Sequence, residues 1–302
     1  MVDRFDCIII GGGIAGLQAA IQLGRYKHRI LVIDAGDGRS TLCRSYHNIL
    51  GYPEGISGQA LRKAGQEHAN RLGVEFVHGT AAKIENTGAG EFLVRMEKIN
   101  TAFQGRRLLF ATGVLDRFPP FPELYPCLGT SVYVCPDCDG YETSGKTTIV
   151  MGAGDAGANM ALAITYWAEK VIYINHEGTP VSKQLLRKLT EKQIEMHEDR
   201  ISSILADHSC FQGVQLKDGQ RIYAEKGFLA FGGNLVRSQL AGELGVKLHH
   251  NRHILADSRT KMTNVKYVWA AGDIAAHSEQ VTIAMGDGSQ AAIWIHKSLV
   301  AD

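Results

Sequence analysis

Two copies of one pattern predict an α/β fold for this chain. The first copy is an apolar strand, Phe5–Ile10, a glycine turn, Gly11-Gly-Gly-Ile-Ala-Gly16, and a helical stretch from Leu17. The second is the strand Thr147–Val150, the turn Gly152-Ala-Gly-Asp-Ala-Gly157, and a helical stretch from Ala158 to Lys170. Strand, turn and helix in that order build Rossmann-like units, each with helices on both faces of a mostly parallel sheet. A third observation concerns the order of the pieces. Ala111-Thr-Gly113 closes one strand at a natural crossing point, and Phe228–Asn234 reads as the return crossing. The expectation is therefore two three-layer dinucleotide-binding domains, the second inserted into the first.

Bulk properties fit that plan. The 302 residues are too many for one small core and suit two domains. Hydrophobic residues make up 45% and charged residues 21%, an ordinary globular balance. A net charge of +1 offers no purchase for nucleic acid or an acidic membrane surface. The opening residues lack the basic and apolar regions of a signal peptide, and no apolar run is long enough to span a membrane. Four of the six cysteines are isolated, which suits a reducing compartment, and the cytoplasm is the expected location.

In the first unit, uniformly apolar Phe5–Ile10 is too regular for a half-exposed edge. Gly11 permits the tight turn, and Gly13, followed by Ile14 and Ala15, lets a pyrophosphate approach the backbone. Gly16 lets the helix lie close to the strand, with the phosphates at the helix N-terminus. The next strand ends at Asp34, eighteen residues after Gly16, where an acid can accept hydrogen bonds from a ribose. Residues Gly36–Gly58 form a long irregular loop bearing Arg39, Cys43, Arg44 and His47, of a length usually functional. An amphipathic helix over Leu61–Leu72 and strands at Val74–His78, Phe92–Met96 and Leu108–Phe110 complete the segment.

In the second unit, the same spacing of eighteen from Gly157 lands on Asn175, with His176 and Glu177 next. The unit reads either as a second dinucleotide site, on Gly152, Gly154, Gly157 and Glu177, or as a repeat of fold that keeps only its packing glycines. Lys183, Arg187, Lys188 and Lys192 lie at helical spacing and read as a solvated face. Tyr267–Ala271 is a strand that ends at Gly272-Asp273, and a helix runs from about Gln280 to the C-terminus. An acid at that strand end can bind ribityl or phosphate oxygens.

Between the units stands Val134-Cys-Pro-Asp-Cys-Asp-Gly-Tyr141. Cys135 and Cys138 are close enough in sequence to share one turn and close a disulfide. Pro136 suits a first helical turn, which puts Cys135 at the N-terminus, where free amides favour a thiolate. Asp137 opposes that somewhat, and Asp139 is a candidate proton donor or acceptor for thiol exchange. Half of a zinc site is the competing reading, but Cys7, Cys43, Cys127 and Cys210 stand singly, so no metal site is expected.

Taken in order, GGGIAG, Ala111–Gly113, CPDCDG, GAGDAG and Ala270-Ala-Gly-Asp273 resemble the low-molecular-weight thioredoxin reductase family, and the resemblance covers the whole chain. It implies an FAD-binding domain over 1–113 and 234–302, and an inserted domain over 114–233 that carries the dithiol and a nicotinamide-binding fold. By that resemblance FAD is held through Gly11, Gly13, Ile14, Ala15, Gly16, Asp34, Ala111, Thr112, Gly113, Gly272, Asp273, Gln280 and Val281. Cys138 faces the flavin, Cys135 attacks the substrate disulfide, and Asp139 is the acid/base. The implied partners are a thioredoxin-like protein or a small disulfide, and the implied assembly is a homodimer.

Two departures modify the expectation. The family's NADPH signature, H-R-R-x-x-x-R, here reads Asn175-His176-Glu177 and then Val181, so the arginines that grip a 2′-phosphate are missing. Glu177 would repel that phosphate and could bind a ribose hydroxyl, favouring NADH; alternatively a second adenine cofactor lodges there, or ferredoxin supplies the electrons. The family's R-Q-A reads Glu279-Gln280-Val281. The loop from Arg39 through His47 to Gly51 resembles relatives that oxidise small dithiols with oxygen. An FAD-dependent disulfide reductase with a donor other than NADPH is the leading expectation. A dithiol oxidase, or a flavin-bound redox sensor with little turnover, are the others.

Overall fold

The computed structural model describes residues 3–88, 90–98 and 101–301. Its contacts divide the chain into two compact units, Met1–Thr41 with Gln59–Leu115 and Val236–Asp302, and Leu42–Gly58 with Asp116–Leu235.

In the first unit a sheet runs in the order Glu75–His78, Ile30–Asp34, Asp3–Ile10, Ala102–Phe110, Glu91–Met96, Ala81–Gly88, with Val268–Ala270 also paired to Ala102–Phe110. Its centre is parallel: Ile10 lies opposite Ile33 on one side and Phe110 on the other. Cys7, Ile8, Ile9 and Ile10 are all buried, because both faces of a parallel sheet are covered. One face packs Ile9, Val32 and Leu109 under the helices Ile14–Arg25 and Val281–Val300; the other packs Ile8, Phe92, Val94 and Phe110. The two helices meet through small residues. A β-carbon on Gly288 would stand 2.3 Å from the Ala15 carbonyl oxygen, so only glycine permits that approach.

The second unit repeats the design with a parallel sheet ordered Glu195–His197, Lys170–Asn175, Thr147–Gly152, Lys226–Ala230, Val132–Tyr133. A three-stranded antiparallel sheet, Ile201–Asp207, Cys210–Leu216 and Arg221–Tyr223, is added to it. Ile149, Met151, Ile174 and Leu229 pack on one face against Phe211, Val214 and Leu216 of that added sheet. On helix Lys183–Glu191, Leu185 and Leu189 are buried while Lys183, Arg187 and Lys188 are exposed, the solvated basic face expected.

Three sequence expectations need adjustment. The helix expected to reach Lys170 spans Gly154–Ile164. Thr165 donates its hydroxyl to the Leu162 carbonyl, and the following aromatics leave the helix so that Trp167 covers Gly140. Residues 42–58, placed by sequence within 1–113, pack with the second unit. There Arg44 N–H donates to the Leu128 carbonyl and Tyr46 pairs with Ile56. The crossings fall after Leu115 and Leu235 rather than after Gly113 and Gly233. Among the described residues no helix is long and apolar enough to cross a membrane.

Candidate active site

Cys135 and Cys138 are joined as a disulfide with their α-carbons 5.3 Å apart. Cys135 is the N-cap of the short helix Pro136–Asp139, with Pro136 in its first turn. Its sulfur accepts the backbone N–H of Cys138 at 3.2 Å. The arrangement that proline and spacing suggest is thus present, with the Cys138 amide, which also reaches the Cys135 carbonyl, aimed at the sulfur that would carry charge on reduction. Among the described residues no group of three or more His, Cys, Asp or Glu is placed to hold a metal ion.

Asp139 is half-buried beside this pair. Burial, reinforced by Glu142 and opposed by Lys226, pushes its carboxyl up to about 7. Lys226 is itself anchored, donating to the Thr130 carbonyl at 3.0 Å and to the Tyr133 hydroxyl at 2.9 Å. A carboxyl that titrates near neutrality can both give and take a proton at working pH. Cys43 belongs to the same unit, but burial and the Asp139 charge push its thiol up to about 12, so it is a poor nucleophile.

The raised Asp139 value has a sign that can be tested. Its contribution to stability is full below the unfolded carboxyl range, near 4, and is lost as pH rises through about 7. Asp139→Asn is therefore expected to gain stability relative to the parent between pH 5 and pH 8 in urea titrations. The same variant should lose the inflection near 7 in the pH profile of thiol exchange. An unchanged profile would remove Asp139 from the proton transfer.

In the first unit the glycine turn is built to admit a ligand. Gly11 has φ +105, and a β-carbon there would strike the Ala111 carbonyl oxygen at 2.3 Å. One on Gly16 would strike the Gly11 carbonyl oxygen at 2.0 Å, so helix and strand touch backbone to backbone. On Gly13 it would meet no atom of the described residues within 4 Å. Asp34 accepts the Gly12 N–H at 3.0 Å, and its other oxygen holds Arg62 at 2.7 Å, a partner the sequence does not reveal. Thr112 donates its hydroxyl to the Arg237 carbonyl, and the Arg237 N–H returns to the Gly113 carbonyl.

Gly272, at φ +78, lies against Ala15, where a β-carbon would come within 2.8 Å. Its N–H donates to buried Asp287 at 3.1 Å. Burial pushes Asp287 up, but hydrogen bonds from His277, Lys261 and Gly272 outweigh it and hold the carboxylate low. Asp273 contacts Arg39 at 2.9 Å, and the same guanidinium nitrogen reaches Glu279 at 2.6 Å. Position 279, an arginine in the resembled pattern, is an acid here, and Arg39 from the long loop brings a guanidinium to it. Val281 opens the last helix and Gln280 is its N-cap. Gly11 through Gly16, Asp34, Ala111–Gly113, Gly272 and Asp273 thus gather at one end of the first unit's sheet, and an open approach to Gly13 fits a dinucleotide cofactor such as FAD.

The second turn is arranged differently. Asn175 is fully buried, accepting the Gly154 N–H at 3.0 Å and donating to the Thr179 carbonyl at 2.8 Å. A β-carbon on Gly154 would meet Thr179 Cγ2 at 2.8 Å, and one on Gly157 would meet the Tyr173 ring. Glu177 is gripped by both terminal nitrogens of Arg117, at 2.7 and 3.1 Å, which holds its carboxyl below the usual range.

A redox dithiol on one Rossmann-like unit and an open glycine turn on another define a flavin-type disulfide oxidoreductase. The comparisons agree. The family model described as pyridine nucleotide-disulphide oxidoreductase matches residues 5–288, and the chain belongs to that family. Within it the chain is of the low-molecular-weight thioredoxin reductase type, an FAD-dependent disulfide oxidoreductase. It is 27% identical to a thioredoxin reductase of Coxiella burnetii over 96% of this chain and 95% of that one. It is also 27% identical to a 34.2 kDa protein in the rubredoxin operon of Clostridium pasteurianum, over 97% of each. The solved thioredoxin reductase of Giardia duodenalis superposes with a TM-score of 0.83 at 27% identity, over 99% of this chain and 100% of that one.

Proposed function

We propose that the chain moves electrons through FAD and the Cys135–Cys138 pair to a thioredoxin-like protein or small disulfide, from a donor other than NADPH. The observation that carries the donor half is Glu177, an acid clamped by Arg117 where the resembled pattern has phosphate-binding arginines. FAD, when bound, supplies the two electrons that open the disulfide. The chain's own residues do the rest. Cys135 attacks one sulfur of the substrate disulfide, expelling the first substrate thiolate and forming a mixed disulfide. Cys138 then attacks Cys135 Sγ, releasing the second thiolate and restoring the Cys135–Cys138 bond. Asp139 exchanges the protons. Two electrons leave the dithiol and two enter the substrate, so the cycle balances.

In this reading FAD is held by the first unit through the residues gathered at its sheet end, and the working assembly is a homodimer. Ferredoxin is one candidate donor. The clamped acid also favours a second reading, in which a dithiol delivers electrons and oxygen accepts them.

Anaerobic reduction of the yellow protein followed near 450 nm separates these (roughly the oxidised flavin band, a property of the cofactor). Slow bleaching by NADPH and NADH with fast bleaching by reduced ferredoxin supports the reductase reading. Fast bleaching by a dithiol, followed by rapid reoxidation in air, supports the oxidase. Fast, saturable bleaching by micromolar NADPH overturns the donor assignment.

A further inference from the structure

The two glycine turns share a sequence pattern but differ in what stands over the middle glycine. In the first, a β-carbon on Gly13 meets nothing within 4 Å among the described residues. In the second, Gly154 takes φ +51 where Gly13 takes φ −74, and its β-carbon direction is covered by the chain itself, with Thr179 Cγ2 at 2.8 Å, Thr179 Cβ at 3.2 Å and the Pro180 carbonyl oxygen at 3.3 Å. A pyrophosphate must approach the backbone at this glycine. Here Thr179 lies against that glycine, and the glycine's N–H is already engaged by the Asn175 side chain.

The covering segment is tied down at several points. Gly178, at φ +62, turns the chain back, and its N–H donates to the Asn175 carbonyl at 3.1 Å. Asn175 then uses its side-chain amide to hold the Thr179 carbonyl, and its side-chain oxygen to hold the Gly154 N–H. Beyond the segment, Ser182 N–H donates to Asp155 at 2.7 Å. On the other flank Arg117 is fixed by the Gly232 and Phe231 carbonyls, each at 2.9 Å, and presents its fork to Glu177. Asp34 of the first turn is also held by an arginine, so an engaged acid alone does not distinguish the turns. An ion pair as exposed as Arg117–Glu177 also contributes little by itself. Thr179 above Gly154, held through buried Asn175, is the distinguishing feature.

We propose that residues 175–182 form a built-in lock on the second glycine turn, with Thr179 in the pyrophosphate position and Arg117 spending the Glu177 carboxylate. The lock excludes nicotinamide dinucleotides. This rests on the reading that NADPH is not the donor and gives that reading a steric cause beyond the missing arginines. The ligand class it rejects is any dinucleotide that must lay its pyrophosphate on Gly154.

The test is calorimetric titration of the FAD-loaded protein with NADH and NADPH. The chain itself is compared with Thr179→Ser, which trims only the methyl over Gly154, and with Thr179→Gly/Arg117→Ala, which opens both flanks. Circular dichroism and retained flavin verify that each variant is folded. NADH affinity is expected to rise in that order, by about ten-fold or more for the open variant. Adding Glu177→Arg to the open variant should turn the preference toward NADPH. If neither variant binds more tightly than the parent, the lock is wrong, while the donor assignment stands. If the parent already binds either nucleotide as tightly as the open variant, the lock is equally wrong. Fast flavin bleaching by micromolar NADPH in the parent overturns the donor assignment and the lock together, because the nucleotide must then bind the unaltered turn.

Discussion

Cys138→Ser is expected to abolish dithiol-dependent turnover while the protein keeps its fold and its FAD. The substitution removes one sulfur from a pair whose α-carbons are 5.3 Å apart on a short helix. A serine hydroxyl neither forms a disulfide nor leaves as a thiolate, so the mixed disulfide at Cys135 has no resolving partner. The loop closed by the bond spans only residues 135–138, so its loss returns little chain entropy to the unfolded state and costs little stability. The variant should therefore accumulate a covalent adduct between Cys135 and its substrate, visible as a mass increase that dithiothreitol reverses. A Cys135→Ser/Cys138→Ser protein that still reduces its disulfide substrate at the parent rate would sink the proposed mechanism.

Gly13→Val is expected to give folded, largely colourless protein. Gly13 has φ −74 and ψ −168, which valine adopts without strain, and its side-chain direction is open for 4 Å. Any loss of the yellow colour then reports crowding at the cofactor, not collapse of the fold. Gly16→Ala is the useful contrast. Its β-carbon would sit 2.0 Å from the Gly11 carbonyl oxygen, so it should lower the thermal midpoint as well as the flavin content. Stoichiometric FAD in purified Gly13→Val would count against placing the cofactor on this turn.

Much of this architecture is legible in the residues because its signals are local. Glycines at 11, 13 and 16 between an apolar strand and a helix leave few alternatives, and Asp34 does lie against the turn, through the Gly12 amide. The Cys-Pro-Asp-Cys stretch states its own helix start, and the structure adds only which groups surround it. What could not be read were contacts between residues distant in sequence. Nothing near Asp34 announces Arg62, and nothing near Glu279 announces Arg39. Arg117 lies in a proline-rich stretch sixty residues before Glu177, so the charge that answers that acid was invisible to any local pattern. The threonine over Gly154 escaped for a different reason. GxG spacing reports which backbone conformations are possible, not whether a later loop has folded over them. The helix from Gly154 ends at Ile164, short of Lys170, because β-branched Thr165 and the aromatics Tyr166 and Trp167 favour leaving it.

The sheet of the first unit joins segments that flank most of the second unit in sequence, and this sets an order on its assembly during synthesis. Strand Asp3–Ile10 is made before the second unit, yet the strand Val268–Ala270 and the helix Val281–Val300, which packs over Ile9 and Leu109, are made only after it. Until residue 300 is made, helix Ile14–Arg25 covers that face of the sheet alone, and the part under Val281–Val300 lies bare. The second unit, complete by Leu235, meets no such delay. Translation therefore finishes the dithiol-bearing unit first and leaves the first unit waiting, exposed to chaperones and to aggregation, for the helix Val281–Val300.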